Sequence, residues 1–178
     1  MFMAEITFIS NKNRKETTKY FFVFIIAVIT WVLQISVFSR FLYFDTMPNL
    51  MLLGSVFIGV SFGPLAGTLF GIISSFLNAN ILYDHAFYIS YPLVGLVTGI
   101  LIKKIFSDEL LFFILLCVVI NFPVDLLNAW QYSFNNPINL IDRYLLVSLN
   151  GVVLNILFAP FYYLIMMFIT KKFLYNAQ

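Results

Sequence analysis

Charged residues are scarce in this sequence, since Lys, Arg, Asp and Glu together make up 10% of its 178 residues. Roughly 25% of the residues of a soluble domain are charged. The much smaller charged fraction here argues against an ordinary water-exposed surface. The net charge is only +2, and the basic residues cluster at the ends of apolar segments. This pattern favours the orientation of membrane helices over nucleic-acid binding. The single cysteine, Cys117, excludes an internal disulfide.

Residues that carry out catalysis or bind metals are also few. The only histidine, His85, follows Asp84 in a predicted outer loop, and no cysteine cluster accompanies it. An aspartyl mechanism needs two carboxylates in one site, and Asp125 is the only one that we expect to be buried. No G-x-S-x-G motif or phosphate-binding loop is present. The sequence therefore predicts a protein that is not an enzyme and needs no cofactor or metal.

Hydrophobic residues make up 62% of the chain, against roughly 45–50% in a soluble domain. This composition predicts an all-α integral membrane protein in one bundle of about six spans, at roughly 20 residues each. The second apolar segment is short enough to be re-entrant or interfacial if judged by length alone. The six apolar segments are Tyr20–Phe38, Asn49–Phe62, Pro64–Tyr83, Phe87–Ile102, Glu109–Trp130 and Tyr144–Thr170.

The distribution of basic residues supports six spans with both termini in the cytoplasm. Under this topology the outer loops contain only Arg40 and Arg143, and cytoplasmic segments contain the other eight basic residues. Residues 1–19 then form a cytoplasmic segment before an uncleaved anchor, residues 20–172 form the transmembrane domain, and residues 173–178 form a short cytoplasmic tail. The eight are Lys12, Arg14, Lys15, Lys19, Lys103, Lys104, Lys171 and Lys172.

Small residues at four-residue spacing mark the middle of the chain. They share one helix face in the third segment and another in the fourth. In lipid, small residues allow helix backbones to approach closely, because the hydrophobic effect does not press membrane helices together. Such faces pack inside the bundle or against a partner helix, and the internal arrangement is the simpler one. The residues are Gly67, Gly71 and Ser75 in the third segment, and Gly95 and Gly99 in the fourth.

Polar residues interrupt the fifth segment in the stretch "NFPVDLLNAW". Asn121, Asp125 and Asn128 are spaced i, i+4, i+7, so they share one stripe of a helix. That stripe should avoid lipid, because a carboxylate there costs at least about 2.5–3.5 kcal/mol. Counting residues from the predicted outer ends places further asparagines near the same depth, in the outer half of the bundle. The complete candidate layer is Asn78, Asn121, Asp125, Asn128, Asn150 and Asn155.

Two interpretations of this polar layer remain open. It is either an outward-facing site for a partner or ligand, or a set of hydrogen bonds between helices. In both cases the fifth and sixth segments should be antiparallel neighbours. We expect Asp125 close to Asn150 and Asn121 close to Asn155, since their estimated depths agree and each needs a polar partner.

Three stretches resemble the MreD family of bacterial rod shape-determining membrane proteins. "MPNLMLLGSVFIGVSFGPLAGTLFGIISSFL" is similar to the family's Pro-Asn or Pro-Asp pair, here Pro48 and Asn49, followed by an apolar hairpin and a G-x-x-x-G helix. "VDLLNAW" resembles the family's valine-aspartate followed by a tryptophan. "NILFAP" resembles its N-x-x-x-x-P pattern, here Asn155 and Pro160. One position departs from the family, because Ser75 stands where members commonly carry an aspartate.

The resemblance implies a non-enzymatic subunit of the cell-elongation machinery in the bacterial cytoplasmic membrane. It would bind MreC and work with MreB, RodA and a penicillin-binding transpeptidase in peptidoglycan synthesis.

The alternative is the substrate-binding subunit of an energy-coupling-factor vitamin importer, which has similar length and six helices. MreD-like proteins resemble that fold, so function has to be argued from the site. Importer subunits usually carry an A-x-x-x-A docking face on the first helix. Here Ala27 is followed four residues later by Trp31.

Overall fold

The computed structural model describes residues 2–40, 46–82, 87–101, 109–135 and 139–176. These ranges contain helices and no β-strand, which confirms the all-α prediction. A 3₁₀ helix, Phe38–Arg40, follows the first α-helix. The α-helices are α1 Phe2–Ser36, α2 Leu50–Phe62, α3 Pro64–Leu82, α4 Phe87–Leu101, α5 Glu109–Asn135 and α6 Leu140–Asn176.

Within the described ranges, three helices are long and apolar enough to cross a membrane, over Glu16–Ser36 in α1, Leu110–Leu127 in α5 and Ser148–Lys172 in α6. This confirms the coarser prediction of a membrane protein. The apolar parts of α2, α3 and α4 are shorter, at Leu50–Phe62, Pro64–Asn78 and Ile89–Leu101. At 1.5 Å per residue, α2 is about 20 Å long, against roughly 30 Å for the hydrocarbon core.

Helix α2 lies at the centre of the bundle. Every residue from Leu50 to Gly59 is buried, and α2 contacts each of the other five α-helices. Its sequence is apolar on all sides, which is typical of a helix enclosed by protein or lipid. Phe57 makes edge-on contacts with three rings, those of Phe113, Tyr162 and Tyr163. The first ten residues of this short apolar helix are therefore covered by its neighbours on every side.

Glycines bring α2, α3 and α4 into backbone contact. A Cβ atom added at Gly67 would lie 2.7 Å from the Gly59 Cα atom and 2.8 Å from the Gly95 carbonyl carbon. One added at Gly99 would lie 2.5 Å from the Pro64 Cα atom. Gly71 meets the backbone of α4 in the same way, at Tyr91 and Pro92. The predicted small-residue faces thus pack against each other within the bundle, and we call this contact the glycine seam.

Ser75 lies one turn beyond Gly71 and is also buried. Its hydroxyl donates a 2.8 Å hydrogen bond to the Gly71 carbonyl oxygen within the same helix. A serine can satisfy its only donor in this way at little cost, whereas an aspartate has no proton to donate when it is ionised.

Candidate functional site

Asn49, the residue that caps the N-terminus of α2, lies at the centre of a group of buried polar side chains. Its side-chain oxygen accepts a hydrogen bond from the Leu52 backbone N–H at 3.0 Å, which satisfies one of the unpaired donors of the first helical turn. The Tyr91 hydroxyl of α4 donates to the same oxygen at 2.9 Å. From α6, the Asn155 side-chain oxygen accepts the backbone N–H of Asn49 at 2.8 Å. Three helices therefore meet at one asparagine.

The hydrogen bonds continue from α6 into α5. The Asn155 side-chain amide donates to the Asn121 oxygen, and the Asn121 amide donates to Asp125 Oδ2. Asn121 and Asp125 can bond in this way because residues four apart lie one above the other on a helix. The predicted contact between Asn121 and Asn155 is present, and α5 and α6 are antiparallel neighbours.

The opposite end of the chain of hydrogen bonds reaches α3, where the Asn78 amide donates to the Tyr91 hydroxyl over 3.4 Å. This distance is long for a hydrogen bond, so it is the weakest of the set. We call the connected side chains the polar network. Its members are Asn78, Tyr91, Asn49, Asn155, Asn121 and Asp125.

Helix α1 supports this network through Gln34. The Gln34 amide nitrogen donates to the Pro48 carbonyl oxygen at 2.8 Å, and its oxygen accepts the Leu50 backbone N–H at 2.7 Å. One buried side chain thus satisfies backbone groups on both sides of Asn49. In a low-dielectric environment, fully satisfied bonds of this kind fix the position of the segment they hold. The Pro48–Asn49 pair is therefore connected to α1, α4 and α6.

All members of the network except Asn49, which is half-buried, are almost completely removed from the surface. Asn121 is 1% exposed, Asn155 2%, Asn78 6% and Asp125 7%. The carboxamide oxygens of Asn49, Asn121 and Asn155 each accept a hydrogen bond from inside the bundle. A ligand that used these oxygens would compete with bonds that the protein already makes. The arrangement is suited to joining helices at a fixed depth.

On α6, the residues that face the Asp125 carboxylate are Ser148 and Gly151. Ser148 lies beside the carboxylate but makes no hydrogen bond of normal geometry, and a Cβ atom at Gly151 would lie 3.4 Å from Asp125 Oδ2. Asn150, the expected neighbour, is half-buried and lies between these two residues in sequence. Asp125 has no cationic partner among the described residues.

The remaining predicted site residues take no part in the polar network as the structure describes it. The side chain of Asn128 lies outside the described part of the structure, as do Asp84 and His85. Pro160 lies inside α6, five residues after Asn155. It removes one backbone donor there, as Pro123 does in α5. Within the described ranges, no group of three or more His, Cys, Asp and Glu side chains could bind a metal ion.

Sequence reasoning missed three residues that complete the site, Gln34, Tyr91 and Ser148. Gln34 is the single amide in the apolar run "WVLQISVF", and that isolation is a usable signal because an unpaired amide is costly in lipid. Tyr91 and Ser148 carry no comparable signal, since hydroxyl groups are common in membrane helices and often bond within their own helix.

Comparisons of the chain with protein-family models, with curated proteins and with solved structures find no match.

The network predicts a contrast between two substitutions of Asp125. Asp125→Asn keeps the size of the side chain and an oxygen that can accept from Asn121, so it should leave thermal stability unchanged or slightly raised. Asp125→Leu leaves the Asn121 amide without its acceptor, and we expect a loss of about 1–3 kcal/mol. Thermal unfolding of both purified variants measures the difference. Equal stability of the two would contradict a structural role for the Asn121–Asp125 bond.

Proposed function

We propose that this protein is a non-enzymatic membrane subunit of the bacterial cell-elongation machinery, similar to MreD. In this role it acts as a scaffold that binds MreC and works with MreB, RodA and a penicillin-binding transpeptidase. One observation carries the proposal. The three stretches that carry the family resemblance meet in space, because Asn49 of the first bonds to Asn155 of the third, and Asn155 bonds through Asn121 to Asp125 of the second.

The chemistry of the network supports a scaffold. Its amide groups are bonded to one another and to the start of α2, so their hydrogen bonds hold helices in register. A scaffold needs a fixed arrangement of its outer surfaces, and buried polar networks that are fully satisfied give a unique packing. A substrate-binding subunit instead needs polar groups that are free to contact a ligand.

The first helix weighs against the importer alternative. Ala27 is completely buried, and Trp31, one turn further along, donates its indole N–H to the Leu77 carbonyl oxygen of α3 at 3.0 Å. This face of α1 packs inside the bundle. A docking surface for a coupling subunit would have to be accessible from outside.

The proposed topology has six crossings of the bacterial cytoplasmic membrane and both termini in the cytoplasm. The network supports it, because hydrogen bonds place the start of α2, the start of α4 and the end of α3 at one level. That level would be the outer side. The exposed Trp130 near the end of α5 suits the outer interface, and the exposed Lys171 and Lys172 suit the cytoplasmic one.

Cysteine labelling tests this topology. Ser61 is exposed at the turn between α2 and α3, and we expect Ser61→Cys to resist an impermeant thiol reagent added to intact spheroplasts and to react after the membrane is opened. Asn139→Cys, exposed before α6, is the matched outer position and should react in both cases. The native Cys117 is buried and can be replaced by serine. Reaction of the Ser61 variant from outside would contradict six crossings.

Affinity purification from native membranes tests the function. A tagged copy of the protein should recover MreC and elongation enzymes. Recovery of a pair of ATPase subunits with a coupling membrane subunit would instead support the importer alternative. The Asp125→Asn variant adds a second readout, because a variant that accumulates normally but does not restore rod shape in a deletion strain would show that the charge is needed for function. Normal shape would leave Asp125 with a purely structural role.

A further inference from the structure

Helices α1 and α6 are neighbours whose side chains meet while their backbones stay apart. The hydroxyl groups of Thr30 and Tyr162 share a hydrogen bond of 3.2 Å, and Phe38, just after α1, packs edge-on against Phe158 of α6. Within the described ranges, no Cα atom of α1 lies within 8 Å of a Cα atom of α6, although both helices pack on α2. Directly packed helices have axes about 8–10 Å apart. The wider spacing leaves a groove along the surface, which we call the α1–α6 groove.

Two lysines lie at one end of this groove. Lys19 precedes Thr30 by eleven residues, which is three helical turns, so both lie on the same side of α1. Lys172 follows Phe158 by fourteen residues, close to four turns, and shares its side of α6. Counted along the helices from the bond between Thr30 and Tyr162, Lys19 is about 17 Å away and Lys172 about 15 Å away. The two lysines therefore lie at nearly the same level, one on each side of the groove.

The positive charge at this end is not neutralised within the described part of the chain. No carboxylate there pairs with Lys19, Lys171 or Lys172. The Lys19 ammonium lies 5.7 Å from the centre of the Tyr20 ring, a contact that leaves its charge in place, and Lys171 and Lys172 are exposed. Residues 2–19 of α1 contain four basic residues and two glutamates, which adds to the positive charge.

The same end of the bundle has open space. Helix α2, which packs against both α1 and α6, ends at Phe62, and the Phe62 ring packs against Phe22 with the ring centroids 5.9 Å apart. Phe22 is one turn from Lys19. A Cβ atom added at Gly63, the next residue after α2, would have no atom within 4 Å. The bundle is therefore not filled where the lysines lie.

We propose that the α1–α6 groove binds an anionic phospholipid, with the phosphate between Lys19 and Lys172 and an acyl chain directed toward Thr30. Ammonium groups form strong charge-assisted hydrogen bonds with phosphate, and basic pockets between membrane helices bind anionic headgroups in this way. Ile165 is spaced seven residues from both Phe158 and Lys172, so it gives this side of α6 an exposed apolar wall. A soluble anion would gain nothing from that wall, whereas an acyl chain would. The proposal does not depend on the proposed function, since it requires only that these helices cross a membrane.

Lipid retention by the purified full-length protein tests the site. The protein in a neutral detergent is titrated with dioleoylphosphatidylglycerol or with dioleoylphosphatidylcholine, which has the same chains and a phosphate but no net charge. Native mass spectrometry counts the bound lipid. We expect one phosphatidylglycerol molecule to bind about tenfold or more tightly than phosphatidylcholine. Equal affinity for the two lipids would overturn the proposal, and so would displacement by glycerol 3-phosphate, which has the charge but no acyl chains.

Two pairs of lysines distinguish a site from a general attraction between a basic protein and anionic lipid. The double variant Lys19→Gln, Lys172→Gln should lower the affinity for phosphatidylglycerol about thirtyfold, which corresponds to about 2 kcal/mol for two lysines at a membrane surface. The double variant Lys103→Gln, Lys104→Gln removes the same charge between α4 and α5 and should leave the affinity unchanged. Equal losses in the two double variants would contradict a site in the α1–α6 groove.

Two tryptophan variants test the path of the acyl chain. Ile165→Trp should fill the groove and weaken the binding of phosphatidylglycerol. Leu164→Trp adds the same side chain at a residue that is equally exposed, at 60% against 57% for Ile165, but turned about 100° around α6. It should bind the lipid as the wild type does. Wild-type binding by both variants would show that the chain does not lie in the groove, and the proposal would fail.

Discussion

Replacing Gly95 by valine should prevent the protein from accumulating in the membrane. A Cβ atom at this position would lie 2.9 Å from the Gly67 Cα atom and closer still to the Gly67 carbonyl group. These are backbone atoms, so no side chain can rotate away, and α3 would have to separate from α4. Overpacking typically costs 1–3 kcal/mol, and we expect about 3 kcal/mol or more here. That is a large part of a total stability of about 5–15 kcal/mol.

Val97→Leu is the control for Gly95→Val. It adds one carbon atom to α4, where Gly95→Val adds three, but Val97 is 42% exposed and faces away from the glycine seam. Immunoblots of membrane fractions and unfolding of any purified protein compare the two. Wild-type accumulation of the Gly95 variant would mean that α3 and α4 do not meet at this position.

Replacing Asn49 by leucine should have the second largest effect. The substitution removes the cap of α2 and the acceptor of the Tyr91 hydroxyl together. Loss of an N-cap costs about 0.5–2 kcal/mol, and a buried donor left unsatisfied costs about 1–3 kcal/mol. We therefore expect about 2–4 kcal/mol less stability, measured by thermal or denaturant unfolding in detergent.

Asn49→Asp is the matched control for Asn49→Leu, because all three side chains are similar in size but only leucine lacks a hydrogen-bond acceptor. An aspartate oxygen can accept from both the Leu52 N–H and the Tyr91 hydroxyl, and a carboxylate is favourable at a helix N-terminus. We expect it to retain most of the stability that leucine loses. Equal losses in the two variants would show that the acceptor at position 49 is unimportant.

The fold was predictable to the level of apolar segments because hydrophobic runs report burial in lipid directly. The ends of the helices were not. Helix α1 begins at Phe2 and α6 continues to Asn176, so both extend through charged residues beyond the apolar runs. Helix formation continues wherever backbone hydrogen bonding remains favourable, and the charged side chains at these positions do not prevent it.

The sequence predicted how deep the site residues lie along the helices, but not which face of each helix they occupy. Counting residues from the predicted ends placed Asn121 and Asn155 in one layer, and they are bonded. The same count cannot tell which side of α6 faces α5. Ser148 and Gly151, three residues apart, share the face toward Asp125, whereas Asn150 is turned about 100° from Gly151 at 3.6 residues per turn. The Gln34 side chain bonds to the backbone of Pro48 and Leu50, and the Asn155 side chain accepts the backbone N–H of Asn49. No pattern of side chains in the sequence encodes bonds to backbone groups.

The enclosure of α2 has a consequence for biogenesis. Its residues are synthesised before α5 and α6, two of the helices that cover it. Until then, part of the surface of α2 must be covered by lipid or by the insertion machinery. Two backbone donors at the start of α2 have partners only when the Asn49 side chain accepts the Leu52 N–H and the Asn155 side chain accepts the Asn49 N–H. The start of α2 is therefore fully hydrogen-bonded only after α6 has packed against it, and a chain that stops before α6 should be less stable in the membrane.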